Sequence, residues 1–329
     1  MSSSLSGTSL SPRVYVLHEN DEWVEPLRLA FDEVGTPFAE WHMRDGLIDL
    51  TTAPPEGVFY NRMSASSHTR GHRYAPELTA ATLAWLKRHN RTIVNGERAL
   101  SLEVSKVAQY EALKAFGIPV PETLAAVGRD NIIAAVEKLG GSVILKHNRA
   151  GKGLGVKLIH SQIELQAHLD SPDFEESIDG IMLVQRYVQA PAPFITRVEF
   201  VGGEFLYAVR VDTSDGFELC PADVCAVESG PAVCPADARS DKFEIIKNFE
   251  HALIPKWEAF LAANDIGIAG VEFIVDESGQ AYTYDVNTNT NYNGDAEAKD
   301  GRRGMRAIAV HLTQALVGQG PVLAPAVAA

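Results

Sequence analysis

Three side chains near the C-terminal end, Glu272, Asp285 and Asn287, have the types and the spacing that hold a hard metal ion. They lie in Gly270-Val-Glu-Phe-Ile-Val-Asp276 and Tyr284-Asp-Val-Asn-Thr-Asn289. Residues 270–275 and 281–286 read as two strands joined by the turn Asp276-Glu277-Ser278-Gly279. Alternate residues of a strand share a face, so Asp285 and Asn287 point the same way, and a hairpin partner brings Glu272 beside them. Hard oxygens in that number suit Mg²⁺, which takes one or two protein carboxylates together with nucleotide phosphates. Taken alone, the same residues also describe a surface hairpin with solvated acids.

A second group points to phosphate. In Val143-Ile-Leu-Lys-His-Asn-Arg-Ala-Gly-Lys-Gly-Leu-Gly-Val156, Lys146 stands at a strand end, ahead of Gly151, Gly153 and Gly155. Glycines admit close backbone approach, so their N–H groups can cradle phosphate oxygens while Lys146 supplies a point charge. A P-loop needs Ser or Thr after its Gly-Lys, and here Gly153 follows Lys152. A protein kinase places its glycine loop before the strand lysine and needs a later His-Arg-Asp, which is absent. A flexible turn with solvated lysines is the bland alternative.

These residues need a scaffold, and the chain supplies α/β elements. Strands are expected at 13–18, 37–42, 57–61 and 92–94, with helices at 21–34 and 75–89, which together imply a parallel sheet. The loop after the first strand, His18-Glu19-Asn20-Asp21, lacks the glycines of a dinucleotide fingerprint. A helix over 100–116 ends at Gly117, and Ile118-Pro-Val-Pro marks entry to a new unit. Further helices are expected at 130–139, 161–169, 241–263 and 301–316. Strands are expected at 142–147, 155–160 and 181–188, and 195–201 with 204–212 read as a hairpin about Gly202-Gly203.

The 329 residues suffice for two or three compact units, and a hydrophobic share of 46% fits an ordinary globular chain. Acidic residues outnumber basic ones 43 to 29, a formal charge of −14, which argues against nucleic acid or an anionic membrane as partner. No stretch is apolar enough to span a bilayer, and the Ser-rich start lacks the basic and apolar regions of a secretory signal. Three cysteines, an odd number, fit a reducing cytoplasm, the expected location.

In order along the chain stand Lys106 in a helix, Lys146 before its glycine loop, Val184-Gln-Arg-Tyr-Val188, Arg197 and Arg210 on a hairpin, then Glu272 and Asp285-Val-Asn287. That succession resembles the ATP-grasp superfamily, in particular the glutamate-ligase branch of ribosomal-protein glutamate ligases, related to glutathione synthases. The resemblance covers about residues 90–317 and implies an α/β, ATP-grasp fold: an N-terminal parallel α/β domain and two α+β subdomains clamping ATP. The implied division is a tail at 1–12, an N-terminal domain at 13–98, a central subdomain at 99–187, a C-terminal subdomain at 188–317 and a tail at 318–329.

The resemblance also implies roles. Lys106 and Lys146 match the lysines that hold the phosphates, and the loop 148–155, with Gly151, Gly153 and Gly155, matches a mobile lid. Gln185 matches the hinge residue facing the adenine amino group, with the backbone at Arg186 and Val188 completing adenine recognition. Arg197 and Arg210 match arginines near the transferred phosphoryl group. Glu272, Asp285 and Asn287 match ligands of Mg²⁺, for which Mn²⁺ can substitute. The expected reaction is ADP-forming ligation of a carboxylate to an amine through an acyl phosphate, on amino acids or peptides. The alternative is a non-catalytic ATP-binding protein of the same fold. Self-association into a homo-oligomer stays open.

Two departures concern the substrate. Where relatives often carry an acid that grips the ribose, this chain reads Gln189-Ala-Pro-Ala-Pro-Phe194. Past Arg210, it replaces a basic, asparagine-containing stretch with Asp215-Gly-Phe-Glu-Leu-Cys-Pro-Ala-Asp-Val-Cys225. Cys220, Cys225 and Cys234 lack the fourth ligand and tight pairs of a zinc site, and the loop 213–240 is expected to shape the acceptor site. Ligands sit at the strand ends of parallel sheets, which places Arg62, Ser64 and His68 toward the substrate, with Asn289 joining them from beyond the metal strand. Arg62 is either a substrate clamp or a domain-interface salt bridge.

Overall fold

The computed structural model describes residues 11–151, 153, 155–214 and 242–318. Lys152 and Leu154 of the expected lid, most of the loop 213–240 with its three cysteines, and most of both expected tails lie outside the described residues.

The first strands are β1 (Arg13–His18), β2 (Phe38–His42), β3 (Gly57–Asn61) and β4 (Thr92–Val94), all parallel in the order β2-β1-β3-β4. Helix α1 (Asp21–Val34) begins where Asn20 accepts from the Glu22 N–H at 3.1 Å and stops at Gly35, whose φ of 76° suits glycine. Helix α2 (Ala75–Arg88) packs Leu83 and Leu86 into the core beneath Phe59.

The expected helix at 100–116 is two helices, α3 (Glu97–Glu103) and α4 (Lys106–Ala115). Ser105 breaks it by accepting from the Ala108 N–H at 3.3 Å, and Asn148 Oδ1 takes the Val107 N–H at 2.9 Å. The central unit is an antiparallel sheet of β5 (Thr123–Ala126), β6 (Val143–His147), β7 (Lys157–Ile159) and β8 (Met182–Arg186), in the order β5-β8-β6-β7. Its apolar face is covered by α5 (Arg129–Leu139) and α6 (Gln162–Asp170) through Ile132, Val136 and Leu165.

The third sheet is also antiparallel: β9 (Phe194–Val201), β10 (Glu204–Asp212), β11 (Phe243–Ile246), β12 (Ile268–Val275) and β13 (Ala281–Asn287), in the order β11-β10-β9-β12-β13. Strand β11 replaces the start of the helix expected at 241–263, because Phe243 and Ile245 alternate into a core at period two. The helix proper, α7 (Ile254–Ala263), starts with Pro255 in its first turn and buries Trp257, Phe260 and Leu261. A helix not foreseen, α8 (Gly294–Asp300), is capped by Asn293, which accepts from the Ala296 N–H at 2.8 Å.

The last helix, α9 (Gly304–Val317), packs Ile308, Ala309 and Leu312 into one core with Val14, Val16 and Leu27. The C-terminal segment therefore seals the N-terminal sheet. Asn95, fully buried, is a second tie: its amide donates to Ile268 O at 2.8 Å and Thr288 O at 2.9 Å, and accepts from the N–H groups of Gly267 and Ile268. Among the described residues, no helix is long and apolar enough to cross a membrane.

Candidate active site

Register decides which side chains of the third sheet meet. Glu272 lies directly opposite Arg197 on β9 and opposite Asp285 on β13, so all three share one face. Asn287, two residues past Asp285, joins them. This face forms one wall of a cleft of about 470 Å³, whose other wall comes from the central sheet. Lys106, Lys146, Gly151, Gly153, Gln185, Arg186, Val188, Arg197, Glu272, Asp285 and Asn287 all line it, with Ser64 and Asn289.

The charges within the cleft are mostly paired. Lys106 Nζ lies 2.5 Å from Asp285 Oδ1. Burial alone would lower the Lys106 pKa, but the adjacent Asp285 carboxylate outweighs it and holds the ammonium above the ordinary lysine value. Arg197 donates through Nε to Glu199 Oε1 at 2.5 Å, and through its terminal nitrogens to Glu272 Oε1 at 2.8 Å and Thr290 Oγ1 at 2.6 Å. Burial works against its charge too, and Glu199 and Glu272 override it. Desolvation raises the Glu272 pKa, with Arg197 opposing. Asn287 donates to Glu272 Oε1 at 3.4 Å, which ties together two of the three residues expected to offer oxygen to a metal.

Lys146 differs. Its ammonium donates to Tyr110 Oη at 2.7 Å and Gln185 Oε1 at 2.9 Å, and among the described residues no carboxylate pairs with it. It is 6% exposed, so a positive charge is held inside the cleft by neutral partners alone. Gln185 turns its amide nitrogen to Thr123 Oγ1 at 2.9 Å, so both ends of this side chain are bonded within the protein. Here it positions Lys146. The hinge from Arg186 to Phe194 lines the cleft and carries no acid.

Four expected site residues lie off the lining. Arg210 stands opposite Thr196 and Glu244, on the other face of the sheet from Arg197, half-exposed, with its guanidinium over the Phe194 ring at 4.6 Å. Arg197 has Val209 as its register partner, and Arg210 lies one residue farther along β10, so strand alternation turns it to the opposite face. Gly155 sits against the His147 ring, beyond the lining. His68 is also outside it, with Nδ1 buried and unpartnered. Arg62 is 1% exposed and behind the wall: it donates to Asn289 Oδ1 at 3.0 Å, Thr290 O at 3.0 Å and Asn291 Oδ1 at 2.8 Å. It is neither an open clamp nor a salt bridge, because its partners are amides and a carbonyl.

Sequence reasoning passed over several residues that build the site. Glu199 sits two residues from Arg197, and strand alternation was a usable signal for it. Tyr110 orients Lys146, while Asn148 caps α4 and so fixes Lys106, with its amide held by Asp179 Oδ2 at 2.6 Å. Glu103 accepts from Thr288 N at 2.8 Å and Ala65 N at 3.3 Å, joining the end of β13 to the N-terminal unit. These partners are distant in sequence, and nothing local announced them. Arg149 donates to Glu77 Oε1 at 2.9 Å, which joins the loop after β6 to α2.

No sequence-family model matches the chain. A D-alanine–D-alanine ligase from Chromohalobacter salexigens is 28% identical over 124 residues, 37% of this chain and 37% of that enzyme. The matches to three such ligases span between 37% and 58% of those relatives' length. Among solved structures, a RimK domain ATP-grasp protein from Sphaerobacter thermophilus superposes with a TM-score of 0.61 at 19% identity, covering 91% of this chain and 98% of that one. The ATP-grasp ligase PsnB, complexed with its minimal precursor, reaches a TM-score of 0.65 at 14% identity, covering 93% and 99%. The chain has the ATP-grasp fold.

Proposed function

We propose that this chain, on its ATP-grasp fold, is an ATP-dependent carboxylate–amine ligase that forms an amide bond and releases ADP and phosphate. One observation carries the reading: Lys106, Lys146, Arg197, Glu272, Asp285 and Asn287, from five separate elements, converge on one cleft. A cluster of this kind is costly to maintain without a ligand, because it gathers buried charge. The relatives support the reaction class, being D-alanine–D-alanine ligases, and one PsnB structure holds Mg and ADP with its precursor.

ATP lies between the two antiparallel sheets, its adenine against the hinge at Gln185, Arg186 and Val188. Lys146 has no carboxylate to leave and meets phosphate directly. Lys106 exchanges Asp285 for a phosphate oxygen, which frees Asp285. The oxygen set of Glu272, Asp285 and Asn287 fits Mg²⁺ in donor type, and Mn²⁺ shares that preference. A bound ion there neutralises charge on the phosphates. A substrate carboxylate oxygen attacks the γ-phosphorus as its bond to the β–γ bridging oxygen breaks, and ADP leaves with that electron pair. An amine nitrogen then attacks the acyl carbon, phosphate departs, and the nitrogen loses a proton. Arg197 is held in one orientation by Glu199 and Thr290, so it meets the transferring group with little reorganisation.

The substrates are amino acids or peptides, bound where Ser64 and Asn289 line the cleft. Arg62 acts through Asn289 and Asn291, and the segment 213–240 sets specificity. ADP release against pools of amino acids and short peptides, with products identified by mass, tests the reading. AMP with pyrophosphate would overturn the mechanism, and ATP binding without turnover on any pool would overturn the enzyme.

A further inference from the structure

The ends of β1 and β2 carry a second cluster that the cleft does not use. His18 closes β1, His42 closes β2 directly opposite it, and Asp21 opens α1 just beyond. One donor atom from each lies within 4.8 Å of the other two. The two rings meet edge-on with centroids 5.0 Å apart, and His42 Nε2 stands 3.7 Å from Asp21 Oδ2. His18 is 2% exposed and neither of its ring nitrogens makes a hydrogen bond, although Glu40 Oε2 lies 3.0 Å from Nε2. Glu40 accounts for Nε2, whereas the buried Nδ1 has no partner within the protein, and an unsatisfied buried polar atom is costly. Glu40 is itself held by two donations from Arg28, each 2.7 Å.

We propose that His18, His42 and Asp21 bind one borderline divalent cation of the zinc class, at a site separate from the nucleotide cleft. Two imidazoles and one carboxylate form a donor set that suits Zn²⁺, Co²⁺ or Ni²⁺ and not Mg²⁺. Burial lowers the pKa of both histidines, which favours the neutral form that ligates metal. The backbone N–H of Arg44 donates to His42 Nδ1 at 3.3 Å, which leaves Nε2 turned to Asp21. Glu40 beside His18 is a carboxylate of the kind that orients ligating imidazoles. Two features oppose the ion: Arg28 donates to Asp21 Oδ1 at 3.2 Å, and α1 presents its N-terminus. Glu25 and Glu40 already engage Arg28, and Glu22 adds a negative charge to that first turn. Asp21 is 69% exposed, so solvent can complete the coordination of an ion held there. An ion there would tie two strand ends to α1, whose Trp23 lines the cleft.

The test uses tag-free, full-length protein treated with chelator and then titrated with Co²⁺ in excess Mg²⁺, with Asp285→Asn present to silence the cleft. One equivalent should bind, give visible ligand-field bands without a near-ultraviolet thiolate band, and be displaced by Zn²⁺. His42→Ala and Asp21→Asn, both at accessible positions, should each weaken binding at least about tenfold while the circular dichroism spectrum is unchanged. Absence of saturable Co²⁺ binding, binding that survives His42→Ala, or a thiolate band implicating Cys220, Cys225 or Cys234 would each overturn the proposal.

Discussion

Arg62→Met separates a positioning role from direct substrate contact. Methionine keeps most of the side-chain length but donates nothing. Three donations from the guanidinium, to Asn289 Oδ1, Thr290 O and Asn291 Oδ1, are lost. Hydrogen bonds to charged groups contribute about 1.5–3 kcal/mol each, so the gross loss is about 5–9 kcal/mol. Against it stands relief from burying a guanidinium without a carboxylate, a penalty of several kcal/mol per ion. That penalty is visible in the structure, where burial depresses the Arg62 pKa despite its ordinary strength as a base. The net loss of stability should be about 1–3 kcal/mol, a shift of several degrees in Tm. Activity should suffer more, because Asn289 and Asn291 lose their anchor, and misplacement of site groups by about 1 Å can cost about 10²-fold. Calorimetry and ADP release, with KM measured separately for ATP and the carboxylate, check both parts. If kcat and Tm hold and only the carboxylate KM rises, Arg62 is a direct clamp and the reasoning fails.

Asp285→Asn should lower turnover by about 10²–10³-fold or more with little change in Tm, since it keeps the side chain's shape but removes the negative charge offered to the metal and to Lys106; full activity by ADP release would refute the metal assignment. Lys146→Met should raise the ATP Kd at least about tenfold in calorimetric titration, because Lys146 is the cleft cation with only neutral partners. Asn95→Ala should destabilise the fold by about 3 kcal/mol or more, read from Tm, as it strips four hydrogen bonds at a buried residue with φ of 59°. Burial alone depresses the pKa of His311, so the unfolded chain binds the extra proton below about pH 6.5 and stability is lost as pH falls from there. His311→Asn should flatten the fall in unfolding free energy between pH 7 and 5 by up to about 1.4 kcal/mol per pH unit, measured in urea.

Local pattern made much of this molecule legible. Strand alternation over 270–287 placed Glu272, Asp285 and Asn287 on one face, and the order of lysines, arginines and acids carried the resemblance to an ATP-grasp chain. Both are short-range properties, since side-chain direction on a strand follows from backbone geometry alone. The errors were also local: the helix at 100–116 hid the capping Ser105, and the one at 241–263 hid the period-two pair Phe243 and Ile245.

What the tertiary structure decided is partnership. Arg197 and Arg210 look equivalent in sequence, yet register turns them to opposite faces, because a pairing offset by one residue reverses every side chain. Arg62 has the type and strand-end position of a substrate clamp, and only the return of residues 289–291 against β3 buries it. Lys106 and Asp285 are 179 residues apart and meet at 2.5 Å. Fold class, and the residue types proposed here for metal and phosphate, can be read from the sequence, since each depends on residues within a few positions of one another. Which charges are paired, which face water and which act only through a neighbour depends on contacts between distant segments, and these exist only once the three sheets have packed.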